Sequence, residues 1–156
     1  MHQHESPAIT TTKRIRSTSS GCSDPKHEVN LSSPFRHLKE LDIYLNSPTH
    51  LPVFQYILSF STCITHLTFE QFFEDYAESL VMTTLFQWNP LKLLTELKIT
   101  KGAKLSINAL NHVIQKCPEL RKLGQVSTWG KIKKHQLETI RKEIKLRNFD
   151  LVIDNE

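Results

Sequence analysis

The sequence predicts an α/β solenoid of four to five stacked strand–helix units, with a short parallel sheet on a concave face and helices on a convex one. Three observations carry this. A ladder of the form L-x-x-L-x-L recurs with its first position at Leu38, Ile64, Leu94, Leu120 and Leu146, at spacings of 26, 30, 26 and 26 residues. Between ladders the apolar spacing changes from two to three or four, as strand gives way to helix. Neither kind of element can bury its apolar side alone, whereas stacked units share one continuous core.

The domain is expected to start at residue 34. Residues 1–33 are rich in Ser, Thr, Pro and His and show neither periodicity. Such a segment cannot bury enough apolar surface to offset roughly 1 to 2 kcal/mol of backbone entropy per ordered residue, so a disordered N-terminal tail is expected there.

From residue 34 to 156 each element has its own reason. "LKELDI" opens the sheet with Leu38, Leu41 and Ile43, and "LPVFQYILSF" follows as a helix with Phe54, Ile57 and Leu58 on one face. "ITHLTF" gives the second strand. Asp75 followed by Glu78 marks a helix start, before Ala77, Leu80, Thr84 and Leu85. "LTELKI" is the third strand, and "SINALNHVIQKC" sets Ile107, Leu110, Ile114 and Cys117 on one helical face that Pro118 terminates. In "LRKLGQV" the last ladder position falls on Gln125, so either a polar residue points inward or a bulge brings Val126 in. "HQLETIRKEIKLR" places Leu137, Ile140 and Ile144 on a face, and "LRNFDL" is expected to close the sheet with Leu146, Phe149 and Leu151. Each inward leucine contributes on the order of 1.5 to 3 kcal/mol when buried.

Cys22, Cys63 and Cys117 are odd in number and widely spaced, with no CxxC pair, so they are expected as reduced thiols without a metal. The ladders, the 26-residue period, the helix in each unit and the "CPEL" run of residues 117–120 together resemble leucine-rich repeats of the cysteine-containing F-box/LRR type, over residues 38–153. The resemblance implies a leucine-rich-repeat solenoid. It also implies a place at the substrate-recognition end of a ubiquitin-ligase receptor or a truncated relative, with ligase subunits as partners. No F-box is seen: Phe54 stands in "LPVFQYIL" where an F-box opening carries an acidic residue.

Chemistry is read by exclusion. Four glycines form no phosphate loop, and G-x-S-x-G, H-E-x-x-H and a histidine beside paired carboxylates are all missing, so no enzyme and no cofactor are expected. The residues between ladder anchors point away from the core and align across strands. They form the columns Glu40, His66, Glu96, Lys122, Asn148; then Asp42, Thr68, Lys98, Gly124, Asp150; then Tyr44, Glu70, Thr100. From these, Asp42, Tyr44, His66, Thr68, Glu70, Glu96, Lys98 and Lys122 are the expected partner-binding residues, on a mixed polar face suited to a protein.

The formal charge is +4, and residues 131–147 hold seven basic against two acidic side chains, a local +5. Nucleic acid is a second reading of that segment, disfavoured because its charges lie opposite Leu137, Ile140 and Ile144 and no aromatic is present to stack on bases. No apolar run reaches the length of a membrane span, and the first thirty residues lack the apolar core of a signal peptide, so a cytoplasmic or nuclear protein without membrane contact is expected. Nothing ahead of Leu38 reads as a cap, so either self-association through that edge or marginal stability of the isolated chain is expected.

Overall fold

Strands 26 to 30 residues apart leave room for a helical crossover, which a parallel pair requires. The structure, a computed structural model, describes residues 34–45, 47–71, 77–101 and 104–154. The expected tail at 1–33, Cys22 and Asp75 lie outside these residues. The described residues form an α/β fold in the order β1 (Glu40–Leu45), α1 (Leu51–Phe60), β2 (His66–Gln71), α2 (Glu78–Phe86), β3 (Glu96–Thr100), α3 (Ile107–Lys116), β4 (Lys122–Gly124), α4 (Lys134–Leu146) and β5 (Val152–Ile153). Short 3-10 turns stand at Pro48–His50 and Val126–Thr128. All neighbouring strands are parallel, and their spatial order is their chain order.

The register makes a core column of Leu41, Leu67, Leu97, Leu123 and Ile153, and a second of Ile43, Phe69 and Ile99. Leu67, Leu97, Leu123, Phe69 and Ile99 are buried, joining Phe54, Leu58, Val81, Leu85, Leu110, Val113, Ile140 and Ile144 of the helices in one cluster. Phe54 of α1 stacks on Phe69 of β2 at 5.1 Å between ring centroids. Burial therefore alternates along β3, and among the described residues the helices pack on its buried face.

Each strand is entered through the same backbone joint. The carbonyl of Lys39 accepts the N–H groups of Thr65 and His66 at 2.8 and 3.0 Å, that of Thr65 accepts Thr95 and Glu96, and that of Thr95 accepts Arg121 and Lys122. The hydroxyls of Thr65 and Thr95 donate to the same carbonyls of Lys39 and Thr65. Between segments, Asn89 is buried and its amide donates to Leu58 O and Ser61 O at 2.7 and 2.9 Å while its oxygen accepts from Leu91 N. It thereby ties the end of α1 to the approach of β3.

The fifth ladder is corrected. Leu146 is the last residue of α4 and is 83% exposed, and Phe149 is also exposed. Asn148 has φ 51, its N–H meets Lys145 O, and Phe149 N meets Ile144 O, the double bond pattern of a Schellman C-cap. The strand begins only at Val152, so the core column is spaced 26, 30, 26 and 30 residues apart. Asn148 and Asp150 consequently leave the polar columns, and Val152 takes the place beside Lys122.

Gln125 sits in the left-handed region at φ 63, β4 stops at Gly124, and Val126 goes into the core. Of the two expected outcomes the second holds, by a turn. That turn removes the partner strand of Ile99, and the buried Trp129 indole N–H donates to Ile99 O at 3.1 Å in its place. In α2 the inward residues are Val81, Thr84 and Leu85, with Leu80 exposed. The Thr84 hydroxyl is buried without a hydrogen-bond partner among the described residues.

Leu97→Ala and Leu123→Ala should each cost about 2 to 5 kcal/mol as core cavities, and Thr68→Ala and Leu146→Ser should cost little. Denaturant melts distinguish these, and equal losses at all four positions would contradict the register. Thr84→Val should be neutral or stabilising by about 1 kcal/mol, since it replaces an unpartnered buried hydroxyl with a methyl group of the same shape.

Candidate functional site

Because side chains alternate along a strand, residues not used by the core stand on the opposite face. Asp42, Tyr44, His66, Thr68, Glu70, Glu96, Lys98 and Lys122 all stand there, in the register expected of them. From β1 to β4 the face spans three strand spacings, about 14 Å.

The first column is an ion network. Glu96 lies in the middle strand with one oxygen 3.2 Å from Lys122 Nζ and the other 3.9 Å from His66 Nε2. His66 is held from behind, since Thr65 Oγ1 lies 2.9 Å from its Nδ1. In the second column Thr68 and Lys98 are half-buried and Asp42 is exposed. Gly124 completes it, and the Lys98 stem lies over it, close enough that a Cβ there would sit 3.4 Å from Lys98 Cγ. Tyr44 heads the third column, 49% exposed, and Glu70 pairs with Lys101 Nζ at 3.2 Å. Lys101, just past β3 with φ 54, was not among the expected residues; its place depends on the turn that ends the strand.

Electrostatically the face is nearly compensated. Each pair is partly solvent-exposed and contributes no more than about 1 kcal/mol, so the pairs orient side chains more than they stabilise the fold. Such a surface carries alternating charge and one aromatic.

A concavity of about 420 Å³ is lined by Ile114, Cys117, Pro118, Phe149 and Leu151. Arg121 and Asp150 pair at 3.6 Å on its rim. The loop that carries Phe149 exists only because α4 ends at Leu146 and Asn148 turns the chain, which is why the ladder pattern did not reveal it. Burial pushes the Cys117 thiol up to about 12. Among the described residues, no three His, Cys, Asp or Glu side chains converge, and no helix is long and apolar enough to cross a membrane. The basic side chains of α4 point away from the buried Leu137, Ile140 and Ile144, but Arg141 turns back and donates to Ile153 O at 3.1 Å.

No protein-family model, curated protein or solved structure matches the chain.

A raised thiol pKa has a definite sign. The folded protein holds the proton more tightly than the unfolded chain, so this stabilisation is complete below pH 9 and is lost as the pH rises from 9 towards 12. At pH 8 Cys117 should therefore react with iodoacetamide far more slowly in the native protein than in denaturant. Peptide mapping of the alkylated protein checks this, and equal rates would mean that Cys117 is reached without unfolding.

Proposed function

We propose that the chain is the repeat region of a leucine-rich-repeat solenoid of the cysteine-containing F-box/LRR type. On this reading its open sheet face is a non-catalytic protein-binding surface. The observation that carries the proposal is the set of polar columns held in register on a face that no helix among the described residues covers. A parallel sheet ordinarily has both faces covered. Leaving one bare, with Glu70 and Glu96 already paired, keeps the sheet hydrated until a partner displaces its water.

The partner is a protein with both acidic and basic side chains, because Asp42, Glu70 and Glu96 alternate with Lys98 and Lys122 over the face. Tyr44 is the aromatic anchor at one edge, and aromatics are enriched among the residues that dominate interface energy. In the ligase-receptor setting this partner is the substrate or a ligase subunit, in the cytoplasm or nucleus.

Affinity purification of the full chain with mass spectrometry should recover one protein partner in stoichiometric amount, and ligase subunits with it if the receptor reading is right. Glu96→Ala/Lys98→Ala, in the middle strand, should weaken that complex at least about tenfold, or about 1.4 kcal/mol. Melts should show little loss, because both side chains project from the core. Unchanged affinity would remove this face from consideration. Binding that collapses with salt and is lost on nuclease treatment would instead assign the function to the basic α4.

A further inference from the structure

The helix layer carries a surface that neither the core nor the polar columns use. On α1 the buried Phe54 and Leu58 face the sheet, so helical spacing sets Pro52, Tyr56 and Ser59 on the outer side, with Gln55 beside them. These four line one open groove of about 260 Å³ together with Trp88, which follows the C-terminal end of α2. Tyr56 is 54% and Trp88 59% exposed, so both rings offer a face to an incoming molecule.

Both rings are held in place. Phe35 meets Tyr56 edge-on at 6.3 Å and Phe60 meets it at 4.8 Å, which restricts the phenol. Trp88 precedes Asn89, whose buried amide is clamped to Leu58 O and Ser61 O, so the backbone of Trp88 is tied to the end of α1. None of the described lining residues is charged, so a lysine, an arginine or a phosphate would enter without a counter-charge. No described residue takes up the Trp88 indole N–H or the Tyr56 hydroxyl, which leaves hydrogen-bond donors at the groove.

We propose that this groove docks a proline-rich segment of a partner protein in the polyproline II conformation. A proline ring is a compact apolar body that stacks on Tyr and Trp faces. A proline-rich chain also keeps every carbonyl acceptor while losing N–H donors. The groove is its complement, because the indole N–H, the phenol and the Gln55 amide can all donate. Polyproline II repeats after three residues, or about 9 Å, and the stretch of α1 from Pro52 to Ser59 is about 10 Å long. One turn of the peptide therefore lies along the groove. Such a chain is already extended before it binds and loses little entropy on docking, so a small aromatic surface is enough to hold it.

This inference does not rest on the open-face proposal, and its test is separate. Fluorescence anisotropy of labelled decaproline titrated with the full chain should saturate, with the same affinity in low and high salt because no charge takes part. Trp88→Ala and Tyr56→Ala should each raise the dissociation constant by about tenfold or more, about 1.4 kcal/mol, with little change in the melt. Trp88→Phe keeps a ring but loses the indole N–H, so its affinity should fall between those of the unaltered chain and Trp88→Ala. Glu96→Ala/Lys98→Ala, on the open sheet face, should leave decaproline binding unchanged. A titration without saturation, an affinity indifferent to both alanine variants, or equal binding of a glycine–serine peptide of the same length would overturn the proposal. So would binding of maltohexaose in preference to decaproline, because the two rings would then be a platform for a saccharide.

Discussion

The fold depends on one backbone joint repeated along the sheet: the carbonyl just ahead of a strand receives N–H groups at the entry of the next strand. Lys39, Thr65 and Thr95 each accept two, and Arg121 accepts that of Val152. The joint fixes register, and register fixes everything else. A slip of one residue in a parallel pair would exchange the faces of the whole strand, sending Leu97 into water and Glu96 into the core. With the joints in place, one leucine or isoleucine from each strand stacks on the last, and the helices have a level apolar floor to pack on.

Where the joints fail, side chains take over. β4 leaves the sheet at Gly124, and the Trp129 indole supplies Ile99 O with the donor that a longer strand would have given. Between α1 and β3, Asn89 spans the gap with three bonds. A buried carbonyl left without a donor would cost about 1 to 3 kcal/mol, so these two side chains are structural in the same sense as the leucines. The open face follows from the same economy of covering: the helices satisfy one side, and the other is left to paired charges and water.

Four of the five ladders were legible because strand alternation and burial act on the same residues. Leu97 and Ile99 are spaced by two and both point inward, so the pattern could hardly be read another way. The fifth failed because Leu146, Phe149 and Leu151 imitate the spacing while belonging to a helix end and a loop. Asn148 was the available signal, since asparagine tolerates the left-handed conformation that ends a helix, but a repeat ruler gives it no weight. The inward face of α2 was misplaced by one residue, Leu80 for Val81, because a nine-residue helix with apolar residues on several sides has no sharp stripe. The open-face residues were legible as soon as the strands were, for their positions are the complement of the core. Lys101 and the concavity beside Cys117 were not, because both depend on turns whose geometry is set by tertiary packing.

Amide hydrogen exchange resolved by residue tests the joint most directly. If the register stands, the amides of His66, Glu96, Lys122 and Val152, each donating to the carbonyl of the preceding joint, exchange slowly, while that of Asp150 exchanges fast. Protection at Asp150 with rapid exchange at Val152 would restore the uncorrected fifth ladder, and rapid exchange at Glu96 and Lys122 would contradict the stacked sheet itself.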